Sequence, residues 1–169
     1  SILDHPQIQA VGFVGSSPVA KSVYQRGTAH GKRVLALGGA KNHIFLIPDA
    51  EVEMASRGIT DSFTGCAGQR CMAASVLITV GECQKFIDQI VEKSAAISLG
   101  KDMGAIISKE SLSRLHQAIS KAESEGAKVL LDGRKVSAPK GYEDGYWLAP
   151  TILDGVQPGT SAACDELFG

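Results

Sequence analysis

The sequence has no apolar run long enough to cross a membrane, no CxxC pair among its four cysteines, and no excess of charge of either sign. A membrane-spanning helix needs about 20 predominantly apolar residues, so none is indicated. Without CxxC spacing, neither a zinc site nor a thioredoxin-like motif is predicted. The chain has 17 Lys and Arg against 18 Asp and Glu, so we expect no attraction to nucleic acid or an anionic membrane.

Length and composition fit a soluble globular protein. The chain has 169 residues, of which 44% are hydrophobic and 21% charged, enough for a sizeable core. Its first residues, 1–6 (SILDHP), resemble neither a signal peptide nor a basic transit segment. Four cysteines could form two disulfides, but a chain of this size does not need them. We therefore expect free thiols in a reducing compartment.

Strand and helix signals alternate along the chain. Strands are predicted at residues 10–14, 34–37, 44–47, 75–80 and 129–131, the first of them buried. Helices are predicted from Ser17 to a terminator at Gly27, over residues 50–63, around residues 86–91, and around residues 112–119 with closure at Gly126. The tail from Tyr146 is apolar and irregular. This order predicts an α/β fold with a largely parallel sheet and flanking helices.

The first strand ends in a turn that suits a phosphate group. Gly15 and Ser16 follow the strand, with Ser17 a plausible N-cap and Pro18 at the first helical position. Exposed amides at a helix start attract phosphate, and glycine permits close approach. The full GxGxxG fingerprint is absent, so an ordinary strand-to-helix turn remains an alternative.

Cys71 is the best candidate for a reactive thiol. It follows a loop of small residues and Arg70, and a cationic neighbour or helix amides lower the pKa of a thiol. A structural cysteine remains the alternative. Cys83 follows Gly81 and Glu82 and is predicted to lie in a surface loop. His43 is interpreted as structural, and no histidine spacing indicates a metal site.

Three segments together resemble the aldehyde dehydrogenase superfamily. Residues 13–20 (FVGSSPVA) resemble its nicotinamide-cofactor turn, residues 68–73 (GQRCMA) its catalytic cysteine motif, and residues 165–169 (DELFG) its acidic segment ending in Phe-Gly. The resemblance implies an aldehyde dehydrogenase-like fold with Cys71 as the catalytic nucleophile. It also implies an NAD site that includes Gly15, Ser16, Glu166 and Phe168, and no metal.

Within the superfamily, the methylmalonate-semialdehyde dehydrogenase branch is most similar. Residues 31–34 (GKRV), 36–43 (ALGGAKNH) and 145–151 (GYWLAPT) resemble its signature, whereas residues 65–67 and 161–165 depart from its commonest forms. Hydrolytic members carry a glutamate just before the Gly-Gly pair, as the base that activates water. Ala36 and Leu37 stand there instead, which favours coenzyme A as the acyl acceptor.

The resemblance further implies two domains. Residues 1–37 would end a Rossmann-like NAD-binding domain, and residues 38–169 would belong to an incomplete catalytic domain, with the crossover at Gly38 and Gly39. We expect missing domains on both sides, including the oxyanion asparagine and the ribose lysine, so that the chain alone is inactive.

The resemblance also implies partners and compartment. The partner would be a small aldehyde, with no nucleic acid or membrane, and the complete enzyme would be a homo-oligomer in the cytoplasm or, in a eukaryote, the mitochondrial matrix. Two alternatives stay open, namely a hydrolytic dehydrogenase acting on another aldehyde and a non-catalytic module.

Overall fold

A computed structural model describes all residues from Ser1 to Gly169, which form two compact units. The first unit is Ser1–Ala40 and the second is Lys41–Gly169. Assignment of these units to a cofactor-binding and a catalytic domain stays a prediction. No helix combines the length and the apolar character needed to cross a membrane.

The first unit is a strand-helix-strand arrangement with a parallel pair. Strand β1 (Ala10–Val14) pairs with β2 (Arg33–Leu37), and helix α1 (Ser17–Ala29) connects them. Along both strands, exposed residues alternate with half-buried ones, so only one face of this sheet is covered. The prediction that the first strand is buried is therefore wrong. Val14, for example, is 66% exposed.

Gly27 does not terminate α1, as the sequence pattern suggested. It lies inside the helix and is buried, and the helix continues to Ala29. A Cβ atom at this position would lie 2.5 Å from Cγ2 of Val34 on β2. A larger residue at this position would therefore overlap the Val34 side chain, which glycine avoids.

The second unit contains the remaining elements. Its helices and strands in chain order are β3 (Asn42–Leu46), α2 (Val52–Thr64), β4 (Ala74–Thr79), α3 (Gln84–Ala95), α4 (Lys109–Ser124), β5 (Lys128–Leu131), β6 (Ile152–Asp154) and α5 (Ser161–Cys164). Strands β3 and β4 are parallel, whereas β5 and β6 are antiparallel. The predicted α/β class is confirmed. Strand β6 and helix α5 lie in the tail that we expected to be irregular.

Two apolar clusters form the core of the second unit. The first lies between α2, α3 and the β3–β4 pair, and it is centred on the fully buried Phe86. The second contains Leu115 and Ile119 of α4 together with Ala67, which lies in the loop after α2. Packing of Ala67 into this second cluster anchors the loop that leads to Cys71.

We predict opposite effects of the same substitution at two helical glycines. Gly27→Ala should lower the free energy of unfolding of the first unit, because the added methyl group overlaps Val34. Gly58→Ala, in the interior of α2, should raise the free energy of unfolding of the second unit by roughly 0.5–1 kcal/mol, because nothing lies within 4 Å of the new methyl group and alanine favours helix. Urea unfolding followed by circular dichroism measures both. Stabilisation by Gly27→Ala would contradict the close approach.

Candidate active site

The backbone is strained immediately before Cys71. Helix α2 ends at Thr64, and in the following turn Cys66 and Ala67 have φ values of 53°, with Gly68 at 73°. Residues with a Cβ atom rarely adopt this left-handed backbone conformation, and such strain costs of order 1–3 kcal/mol per residue. Besides these two, only Phe168 (φ 54°) among non-glycine residues has a positive φ. Among non-glycine residues, a positive φ thus occurs only just before the 68–73 motif and within residues 165–169.

Gln69 anchors one side of the cysteine loop. Its side-chain Nε2 donates to the carbonyl oxygens of Cys66 (3.0 Å) and Ala105 (3.2 Å), and its Oε1 accepts from the amide of Ile107 (2.8 Å). One carboxamide therefore connects the strained turn to the segment that precedes α4. Sequence reasoning included Gln69 in the motif but assigned it no role. A carboxamide directly after a loop of small residues was the only available signal.

Asn42 anchors the other side of the loop. Its Nδ2 donates to the carbonyl oxygens of Cys71 (2.8 Å) and Ala73 (3.0 Å). Asn42 is the first residue of β3, far from the loop in sequence. Asn42 belongs to the segment 36–43 that resembles the family signature, but that resemblance gave no indication of this contact.

Arg70 does not direct its donors at the thiol. Its Nη2 donates to the carbonyl oxygens of Asp61 and Ser62, both at 3.0 Å, and the guanidinium lies against the backbone of Gly65. These carbonyls belong to the last turn of α2, where helices leave acceptors unsatisfied. Cys71 also precedes a strand, not a helix. The sequence suggested that a cation and helix amides would lower the pKa of the Cys71 thiol. In this unit, neither group is directed at Cys71.

The four cysteines are all free, and they differ in exposure. Cys66, Cys71 and Cys164 are exposed. Cys83 is 3% exposed, with its Sγ 3.6 Å from the carbonyl oxygens of Leu46 and Val80. The expectation of a surface loop was wrong here, because Cys83 is the N-cap residue of α3 and turns inward towards the β3–β4 pair.

The segment of residues 165–169 lies against the cysteine loop. A Cβ atom on Gly68 would lie 2.8 Å from the carbonyl carbon of Gly169, and Leu167 packs on the cluster that contains Ala67. Glu166 is exposed and forms no ion pair or side-chain hydrogen bond, and Phe168 is 44% exposed. The fold of the second unit therefore brings Cys71, Glu166 and Phe168 into one region, with a carboxylate and an aromatic ring available.

Gly15 and Ser16 lie in the first unit, between β1 and α1. The amide of Gly15 donates to the carbonyl of Leu37 (3.1 Å), and Ser16 is the N-cap of α1 without a side-chain hydrogen bond. Ser17, the expected N-cap, instead accepts from the amide of Gly39 through its Oγ (3.1 Å). The first-turn amides of α1 consequently have no side-chain cap, which suits a phosphate.

No group of three or more His, Cys, Asp or Glu side chains is arranged to hold a metal ion. His43 contacts only the backbone, with its Nδ1 2.9 Å from the carbonyl oxygen of Lys41. The arrangement therefore offers an exposed thiol on a loop that approaches, at Gly68 and Gly169, the segment carrying the Glu166 carboxylate.

Comparison with known proteins places the chain in a family. The profile of the aldehyde dehydrogenase family matches residues 1–169. The human mitochondrial protein named methylmalonate-semialdehyde/malonate-semialdehyde dehydrogenase [acylating] is 40% identical over 174 residues, which cover 99% of this chain and 32% of the human protein.

Two solved structures show the same similarity. The crystal structure of methylmalonate-semialdehyde dehydrogenase from Oceanimonas doudoroffii matches with a TM-score of 0.94 and 33% identity, covering 99% of this chain and 36% of that one. The structure of 1-pyrroline-5-carboxylate dehydrogenase from Thermus with bound NAD matches with a TM-score of 0.86 and 27% identity, covering 99% and 34%. The chain thus spans about a third of the length of these relatives. It belongs to the aldehyde dehydrogenase family.

Proposed function

We propose that this chain is the cysteine-bearing part of an NAD-dependent, CoA-acylating dehydrogenase that oxidises malonate or methylmalonate semialdehyde. The observation that carries the proposal is the exposed Cys71, held on a strained and doubly anchored loop beside the Glu166 segment. The acylating name of the human relative supports coenzyme A, and bound NAD in the Thermus structure supports the nicotinamide cofactor. The proposed activity is that of a subunit as long as those of the relatives, of which this chain would be one part.

The cysteine performs nucleophilic catalysis in this proposal. The Cys71 thiolate attacks the aldehyde carbonyl carbon and forms a hemithioacetal, whose oxyanion is held by the Cys71 amide, as the family resemblance implies. NAD, when bound, supplies the two-electron oxidant that accepts a hydride from this carbon. An acyl thioester on Cys71 results.

The acyl group then leaves Cys71 in a second half-reaction. The coenzyme A thiolate attacks the thioester carbonyl, a new carbon–sulfur bond forms, and Cys71 departs as thiolate. With a 3-oxo acid, the bond between the carboxylate and the α-carbon also breaks, carbon dioxide leaves and the α-carbon takes up a proton from water. The products are acetyl-CoA from malonate semialdehyde and propanoyl-CoA from methylmalonate semialdehyde.

Four residues of the chain fit the cofactor. Gly15 and Ser16 lead directly into α1, whose first-turn amides have no side-chain cap and so suit the pyrophosphate. Glu166 has a free, exposed carboxylate that can accept from both hydroxyls of the nicotinamide ribose. Phe168 presents a partly exposed ring to pack beside the nicotinamide end.

The second half-reaction favours a thiol acceptor because the chain lacks a base where hydrolytic relatives have one. Ala36 and Leu37, the last two residues of β2, carry no ionisable group. Water needs a base to attack a thioester efficiently, whereas thiols ionise near pH 8.5 and are intrinsically stronger nucleophiles.

We predict that Cys71 is the most reactive thiol of the protein. Iodoacetamide labelling with peptide mapping should modify Cys71 first, because the loop anchors present it to solvent. The buried Cys83 serves as an internal slow reference, and Cys71→Ala should abolish NAD reduction in the intact enzyme. Faster labelling of Cys66 or Cys164, together with activity in Cys71→Ala, would remove Cys71 from its assigned role.

We predict that Glu166→Gln weakens NAD binding or slows hydride transfer by about tenfold, because the carboxylate makes charge-assisted hydrogen bonds that the amide cannot replace. Steady-state kinetics in a subunit of the relatives' length measures the effect. Glu92→Gln, an exposed glutamate on α3 without an ion pair, is the matched control. Identical kinetics for both variants would exclude Glu166 from the site.

We predict that turnover depends on coenzyme A. Without it, the intact enzyme should release a burst of NADH and then turn over roughly 10²-fold more slowly, because a positioned base normally contributes at least that factor. Mass spectrometry should identify a CoA thioester as the product. Turnover that is equally fast without coenzyme A would overturn the acylating assignment and favour hydrolysis with a base elsewhere.

A further inference from the structure

Asn42, the only asparagine in the chain, lies at an irregularity in the β3–β4 pair. Asn42 pairs with Ala74 and His43 with Val76, so the register shifts between Asn42 and His43. At this shift, the Asn42 side chain donates both of its hydrogen bonds to backbone carbonyls, those of Cys71 and Ala73. Both acceptors lie just before β4, so the side chain ties the cysteine loop to the start of β3.

Lys41, the residue before Asn42, forms a hydrogen bond to a different segment, residues 165–169. Its Nζ donates to the carbonyl oxygen of Asp165 at 2.8 Å, next to Glu166 and 124 positions along the chain. The side chain is half-buried, and this burial lowers the pKa of Lys41. The negative charge of Asp165 acts in the other direction but is the smaller effect. The bond to the Asp165 carbonyl gives this partly desolvated ammonium an acceptor.

We propose that Lys41 and Asn42 are positioning residues that fasten the Glu166 segment and the Cys71 loop to one point, the start of β3. Neither side chain needs to touch the reacting atoms. The two segments approach each other at Gly68 and Gly169, so a common anchor keeps the thiol and the ribose-binding carboxylate at a constant separation. The consequence for the reaction rests on the proposed roles of Cys71 and Glu166.

Limited proteolysis of the chain tests the two anchors separately. Asn42→Leu keeps the side-chain size but removes both donors, so trypsin should cut after Arg70 about tenfold faster, as expected for the loss of two hydrogen bonds. Rates are normalised to cleavage after the exposed Lys140. Gln117→Leu, which removes an exposed amide from α4, is the matched control and should leave the rate unchanged.

Lys41→Met keeps the buried stem and removes the donor, so a glutamate-specific protease should cut after Glu166 about tenfold faster. Lys41→Arg, which retains a donor, should restore most of the protection. Lys140→Met controls for loss of a positive charge elsewhere in the same unit. Cleavage at the wild-type rate in Lys41→Met, or equal acceleration in Lys140→Met, would overturn the anchor.

Kinetics in a subunit of the relatives' length tests the link to the reaction. Lys41→Met should raise the KM for NAD about tenfold with a smaller change in kcat, whereas a general loss of stability would lower the active fraction without moving KM. Accelerated proteolysis with an unchanged KM would overturn the positioning role. Absence of NAD reduction in the wild-type subunit would instead refute the proposed function, while proteolysis would still decide whether the anchors exist.

Discussion

The left-handed turn at residues 66–68 is the constraint on which the rest of the candidate site depends. Two residues with side chains adopt a backbone conformation there that is normally reserved for glycine. Such strain persists only where the surrounding structure outweighs it. Burial of Ala67 against α4, the three hydrogen bonds of the Gln69 carboxamide and the two of Asn42 provide this compensation. The chain consequently leaves α2 and reaches Cys71 with the thiol exposed.

The same turn explains why Arg70 differs from its expected role. Because the backbone reverses after Gly65, the guanidinium returns to the last turn of α2 and donates to the carbonyls of Asp61 and Ser62. A residue that is adjacent to the cysteine in sequence is therefore a structural cap. In the proposed reaction, groups other than Arg70 would have to activate the thiol.

Each of the two units carries a different kind of candidate binding or reacting group. The first unit offers backbone amides at the start of α1, in a turn held by the bond from Gly15 to Leu37 and by that from Gly39 to Ser17. The second unit offers side chains, namely the thiol of Cys71, the carboxylate of Glu166 and the ring of Phe168. Backbone amides suit phosphate without regard to base or sugar, whereas in the proposed reaction the thiol and the carboxylate would carry the specific steps.

The sequence by itself determined the α/β class, because strand and helix periodicities are local properties that survive without tertiary context. It also determined the candidate residues, because motifs at residues 13–20, 68–73 and 165–169 are read directly from residue type and order. Only the tertiary structure decided the contacts of Arg70, the burial of Cys83, the interior position of Gly27 and the anchoring by Lys41 and Asn42. Each of these joins residues from different elements, and no local pattern encodes which carbonyl a distant side chain will reach.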